Sequence, residues 1–338
     1  MNSRAFFLVT SMPIIWFCVF ATGAEPQQNS QPTSETKKLQ QSDIPSLRQK
    51  ALRGDAKAAY QLGRSYMTGT GVPQNYAEAA KYLRQAAEQA LPDAEFALGY
   101  LYEQGKGVPR DYQQAVVYYT AAARQGHPTA ENNLGSMYEY GRGVRKNLRQ
   151  AENRYRMAAE KGDVTAQCNL ASLYFRGKGT GRNYSQAAEW FRKAAENGYV
   201  PAQENLAWMY FTGTGVALDY SRAAHWVKMA ADKGYVRAQL DLGYLYEQGK
   251  GVPLNYVTAY MWYKAAASGG EERAAGRLKS LSAVMTREQI SQARVAADDL
   301  SRSLPKLDGA TESQSIGDSF IKPRLASDWA ESILPANQ

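Results

Sequence analysis

Histidine and cysteine, on which many catalytic and metal sites depend, are scarce in this chain. Its 338 residues include two His and two Cys, so neither an imidazole relay nor a cluster of metal-spaced ligands has much to draw on. His127 and His225 fall at different phases of the pattern described below, and no H-E-x-x-H, G-x-S-x-G or G-K-S/T stretch is present. The common zinc-peptidase, serine-hydrolase and phosphate-loop signatures are thereby absent. Lys and Arg outnumber Asp and Glu by 40 to 32, yet no run of five basic residues occurs. A dispersed excess of that kind argues against specific nucleic-acid binding. No apolar run reaches the ~20 residues that a spanning helix needs. What is plentiful is Tyr, with 23 copies, many at fixed spacing, so packing explains them first.

The first two dozen residues form a separate piece. Asn2 to Arg4 is a short positive start, Ala5 to Phe20 is apolar but interrupted by Thr10, Ser11 and Pro13, and Ala21-Thr22-Gly23-Ala24 is small. This is the pattern of a secretory signal peptide over residues 1–24, with an uncleaved anchor as the alternative. Cys18 follows Ile15-Trp16-Phe17 and lacks the small residues that precede a lipidated Cys. Residues 25–42 are rich in Gln, Ser, Thr and Pro and are expected to be a disordered linker. If the leader is removed, Cys168 is the sole thiol and no intramolecular disulfide is possible; its place in a helix favours burial as a small hydrophobe.

The body of the chain is periodic. Leu62, Leu98, Leu134, Leu170, Leu206 and Leu242 each follow the last by 36 residues. Tyr66, Tyr102, Tyr138, Tyr174, Tyr210 and Tyr246 keep the same register, as do Gly69, Gly105, Gly141, Gly177, Gly213 and Gly249. Six copies without an insertion mark a solenoid, in which each unit buries its apolar face by stacking on its neighbours.

Each unit predicts two helices. The first carries a small residue, then Leu four and Tyr eight positions later, a stripe of 3.6-residue period. The Gly or Ala beside each Leu (Gly63, Gly99, Gly135, Ala171, Ala207, Gly243) points to close approach by a second helix. The G-x-G pair that follows stops the first helix. Next comes Asn or Asp before an aromatic or Leu (Asn75-Tyr76 through Asn255-Tyr256), where the acid or amide caps the second helix. That helix carries Ala at fixed places and ends at Gly, except at Ala90.

Residues 43–54 read as a half repeat closing the start of the stack, and 55–270 as six full units. Residues 271–302 follow as capping helices, the last opened by a capping box at Thr286-Arg287-Glu288-Gln289. Residues 303–338, polar and broken by Pro and Gly, are expected to be a flexible tail. The fold class is therefore all-α: a right-handed α-solenoid superhelix of antiparallel helix pairs with a C-terminal capping helix.

A helix pair of A-x-x-x-L-G-x-x-Y-x-x-G-x-G-V followed by N/D-Y-x-x-A-x-x-W/Y-x-x-x-A-A-x-x-G resembles the Sel-one-like repeat, a relative of the tetratricopeptide repeat. The resemblance covers about Gly54 to Ser282, with Ala90 for Gly, Thr180 for Val and Leu148 for Tyr as departures. It implies non-catalytic adaptor work on a protein or peptide partner, in envelope processes, signalling or host contact, with no cofactor. The last unit resembles bacterial members and points to a periplasmic or secreted protein with no membrane contact once the leader is gone. Some cysteine-rich members carry a β-lactamase label, so a cell-wall hydrolase is the alternative; a single Cys in the array departs from that branch.

If the Ala-Leu-Tyr stripe is buried, the positions three, six and ten residues after the small residue form rows along the array. From these rows come the candidate partner-binding residues Tyr100, Asn133, Ser136, Tyr140, Asn169, Arg176, Asn205, Trp208, Asp241 and Tyr244. Asn133, Asn169, Asn205 and Asp241 make a ladder suited to the backbone amides of an extended peptide, and Tyr100, Trp208 and Tyr244 are aromatic anchors. The alternative is that these groups bond to neighbouring helices and complete the packing.

Overall fold

The structure, a computed structural model, describes residues 43–305 except 178 and 180. The leader and linker assigned to residues 1–42 and the tail beyond residue 305 lie outside the described residues. Within them the chain forms fifteen helices and no strand. A short α1 (Ile44–Leu52) precedes six helix pairs. The first helices of the pairs are α2 (Ala56–Thr68), α4 (Pro92–Gln104), α6 (Pro128–Tyr140), α8 (Val164–Arg176), α10 (Val200–Thr212) and α12 (Val236–Gln248). The second helices are α3 (Tyr76–Ala87), α5 (Tyr112–Arg124), α7 (Leu148–Glu160), α9 (Tyr184–Glu196), α11 (Tyr220–Asp232) and α13 (Tyr256–Ser268). Then come α14 (Glu272–Ser282) and α15 (Arg287–Ser303). The described helices fall into two units, α1–α9 and α10–α15.

Local chemistry sets each boundary. The side chains of Asn75, Asp111, Asn147, Asn183, Asp219 and Asn255 accept hydrogen bonds from backbone N–H groups in the first turn of the helix that follows. Each such cap contributes about 1 kcal/mol. The backbone N–H of the same six residues donates 2.9 Å back to the carbonyl of the repeat Tyr, from Asn75 to Tyr66 through Asn255 to Tyr246. The connector is thus a closed loop of constant size, which is why no insertion breaks the period. Ala90, where the other units have Gly, is the one non-Gly residue with positive φ (55°) among the described residues.

The six repeat Leu side chains are completely buried, each contributing about 1.5–3 kcal/mol. The small residue beside them admits the second helix, as the sequence indicated. A Cβ on Gly63 would stand 2.7 Å from Leu83, and on Gly99, Gly135 and Gly243 2.8, 2.7 and 2.6 Å from the rings of Tyr119, Tyr155 and Tyr263. The repeat Tyr is different: Tyr66, Tyr102, Tyr138 and Tyr246 are half-buried at the edge of this stripe. Tyr66 stacks on Tyr82 and Tyr102 on Tyr118, with ring centroids 5.8 and 5.6 Å apart.

In three units the second Gly of G-x-G does more than end a helix. The first Gly takes the left-handed conformation, with φ of 69° at Gly105 and 70° at Gly141. At Gly107, Gly143 and Gly251 the second is pressed on the preceding repeat. A Cβ on Gly107 would lie 2.2 Å from the carbonyl oxygen of Tyr76, on Gly143 2.2 Å from that of Tyr112, and on Gly251 1.9 Å from that of Tyr220. No side chain fits there.

At the C-terminal end, Thr286 and Gln289 form the capping box that opens α15. That helix buries Ala293 and Ala297 against α13. Cys168 is fully buried in α8, as expected of a small hydrophobe inside a repeat helix. No helix of the described residues is long and apolar enough to cross a membrane.

Candidate partner-binding face

In the α1–α9 unit the candidate residues are held by the chain itself. Asn133 is 2% and Asn169 7% exposed. The Asn169 amide donates 2.9 Å to Asn132, and Asn132 donates 3.5 Å to Asn133. The amides thus form a short chain among themselves, displaced by one residue from the expected row. Ser136 is buried, and its hydroxyl has no hydrogen-bond partner among the described residues. Tyr100 is buried and its hydroxyl accepts a 3.1 Å hydrogen bond from Lys106. Tyr140 is half-buried, with the Arg142 guanidinium 5.3 Å from its ring centre. Burial, reinforced by neighbouring Glu139, pushes its phenol pKa well up. Arg176 pairs with Glu139 at 3.5 Å, and burial lowers its pKa.

The α10–α15 unit holds the remaining four. Asn205 is 4% exposed and its amide turns back to the Pro201 carbonyl at 2.7 Å. Trp208 is half-buried. Tyr244, also half-buried, lies 5.6 Å from both Lys250 and Arg277. Burial pushes Asp241 up to about 7, against the pull of Arg237 and with Glu204 adding to the rise. Burial does the same to Glu204, also to about 7. The ladder residues are therefore buried groups, whereas Tyr140, Trp208, Tyr244 and Arg176 keep part of their surface.

Two sets of residues that sequence reasoning passed over organise this face. Glu103, Glu139 and Glu247 accept the hydroxyls of Tyr119, Tyr155 and Tyr263 at 2.7, 3.0 and 2.5 Å. Each carboxylate also lies 3.5–3.8 Å from an Arg of the next unit, namely Arg142, Arg176 and Arg277. The signal was in the repeat: where Tyr is replaced by Phe191, the position matching Glu is Phe175. The second set is the cation inside G-x-G. Lys106 lies 5.1 and 5.3 Å from the rings of Tyr76 and Tyr100, and Arg142 lies 6.0 and 5.3 Å from those of Tyr112 and Tyr140. Lys250 lies among Phe211, Tyr220 and Tyr244.

The two His residues have structural places. His127 caps α6, its Nδ1 accepting from the Ala130 N–H at 3.2 Å while Nε2 faces Asp93 at 3.4 Å. His225 is exposed on α11 beside Trp226. No group of three or more His, Cys, Asp or Glu suited to a metal ion occurs among the described residues.

A family model described as "Sel1 repeat" matches residues 56–91, 92–127, 128–163, 164–199, 200–235 and 236–271. A search of the curated proteins gave no match. Among solved structures, the chain is similar to a protective antigen of uropathogenic Escherichia coli strains displaying an SLR fold. Identity is 33% and the TM-score 0.71, over 83% of this chain and 61% of that one. It is also similar to a Sel1 repeat protein from Oxalobacter formigenes, with 32% identity and a TM-score of 0.58 over 70% of this chain and 96% of that one. The chain thus spans about 61% of the length of the E. coli protein.

Proposed function

Because the chain belongs to the Sel1 repeat family, whose members are generally protein-interaction scaffolds, we propose that it is an exported, non-catalytic scaffold. It holds a protein or peptide partner on the inner face of its first helices. The observation that carries this is a division of labour seen in each unit taken by itself, along α6 in one and along α10 and α12 in the other. Leu134, Leu206 and Leu242 are sealed, while Tyr140, Trp208 and Tyr244 on the same helices keep surface. Tyr140 and Tyr244 are held in place by cations, so they lose little freedom on binding and make good anchors. Export is supported by the composition of residues 1–24. It is in keeping with likeness to a protein described as a protective antigen.

The test is capture from the envelope fraction of the source cells, with the chain from Glu25 onward immobilised. A Trp208→Ala/Tyr244→Ala variant, checked for unchanged helicity and melting, is the control. A partner held by wild type and lost by the folded variant supports both the scaffold role and the face. Identical captures by both move the site elsewhere, and an empty capture argues against a partner in that compartment.

A further inference from the structure

The G-x-G turns of the second, third and fourth repeats differ from those of the other three in charge. Residues 104–114, 140–150 and 176–186 hold nine Lys and Arg against one acid, Asp111. The matching windows of repeats one, five and six, 68–78, 212–222 and 248–258, hold two basic and two acidic residues. All six turns share a left-handed first Gly, an Asn or Asp cap and the backbone bond to the repeat Tyr, whether or not they carry these cations.

In the α1–α9 unit the three turns adjoin one another. Gly107 sits on the start of α3, and Gly143 on the start of α5. The guanidiniums of Arg110 and Arg142, from consecutive repeats, both lie 6.0 Å from the Tyr112 ring. The half-buried members of the set are engaged: Arg142 with Glu103 and Arg176 with Glu139. Arg110, Arg145, Lys146, Arg149 and Arg182 are exposed. The single acid, Asp111, is occupied in capping α5. The result is a basic edge at one end of these helix pairs, with exposed cations contributed by the second, third and fourth repeats.

We propose that this edge docks an acidic polypeptide segment, rich in Asp and Glu, of a protein partner. The proposal shares with the scaffold reading only the class of partner, since the edge is formed by the turns and not by the inner face. Four of its five exposed cations are Arg, whose planar fork matches a carboxylate with two parallel hydrogen bonds. The edge also lacks what other anionic partners use. None of the large apolar side chains exposed among the described residues falls in these three windows, so nothing is offered for insertion into a bilayer. Tyr112, Tyr140 and Tyr184 each already have an Arg within about 6 Å of the ring centre, which competes with the stacking of bases on them.

The experiment measures binding of a fluorescent peptide of alternating Glu and Ser to the full chain by anisotropy. Two variants are compared, each lacking four exposed cations. One is Arg110→Gln/Arg145→Gln/Lys146→Gln/Arg149→Gln. The other, on the same unit but off the edge, is Arg53→Gln/Lys57→Gln/Lys81→Gln/Arg124→Gln. Melting curves confirm that both are folded. The expected result is binding that weakens with salt, falls about tenfold or more in the edge variant, and changes little in the control. Equal loss in both variants would show an effect of net charge alone and overturn the proposal. So would absence of peptide binding, or binding only to phosphatidylglycerol vesicles or to DNA.

Discussion

The hydroxyl of Tyr119 donates 2.7 Å to the buried carboxylate of Glu103, while the ring of the same Tyr lies over Gly99, where a Cβ would stand 2.8 Å away. One side chain thereby fixes both the spacing of two helices and the placement of a buried charge. Burial raises the Glu103 pKa, and the Tyr119 hydroxyl and Arg142 pull against that rise. Tyr119→Phe is expected to cost about 1–3 kcal/mol, because it leaves the carboxylate short of a donor. The fourth repeat carries the apolar solution, Phe175 and Phe191. Tyr119→Phe with Glu103→Phe should therefore recover most of the loss, and a double-mutant cycle in urea would read the coupling. Additive losses would show that the pair is not coupled.

Gly107 and Gly69 both have positive φ, 70° and 73°, but only Gly107 is pressed on a neighbouring backbone. Gly107→Ala should combine the ~1–2 kcal/mol of left-handed strain with a displacement of α3. Gly69→Ala, whose nearest neighbour would be 3.5 Å away, should show the strain alone. Chemical denaturation of the two variants would separate the terms; equal losses would mean that the contact yields at no cost.

Ala90 adopts φ of 55° where five other units place Gly. Ala90→Gly relieves the Cβ clash but loosens the unfolded chain, and the first effect is the larger. A gain of about 0.5–1 kcal/mol is expected, read as a rise in melting temperature.

Glu204 and Asp241 are both pushed up to about 7. A carboxyl whose pKa is higher in the folded than in the unfolded state holds its proton longer when folded. Stability from this pair is therefore present below the ordinary carboxylate range and lost as pH rises toward about 7, with no further loss above it. Melting temperatures between pH 8 and pH 5 should rise on acidification, and Glu204→Gln/Asp241→Asn should flatten that slope. An unchanged slope in the variant would assign the dependence to other groups.

The repeat, its helix boundaries and its caps were legible before any coordinates, because each rests on local chemistry. Gly accepts a left-handed turn, Asn and Asp cap the next helix, and Leu with a small neighbour marks a buried stripe. Those rules act within a few residues, so Asn75, Gly105, Leu134 and Thr286 carried their meaning in the sequence. What lay between repeats did not. The sequence grouped Asn133 with Asn169, whereas the structure ties Asn169 to Asn132 and turns Asn205 onto its own helix. Periodicity gives the face of a helix but not which partner across 36 residues a side chain will reach. Glu103 and Arg142, 39 residues apart, and Gly107 on the carbonyl of Tyr76 are likewise products of stacking. The sequence by itself determined the repeating unit; only the tertiary structure decided which polar groups are spent inside the stack and which cations are left on its edge. The reason is that hydrogen bonds and ion pairs depend on ångström-scale distances that packing alone sets.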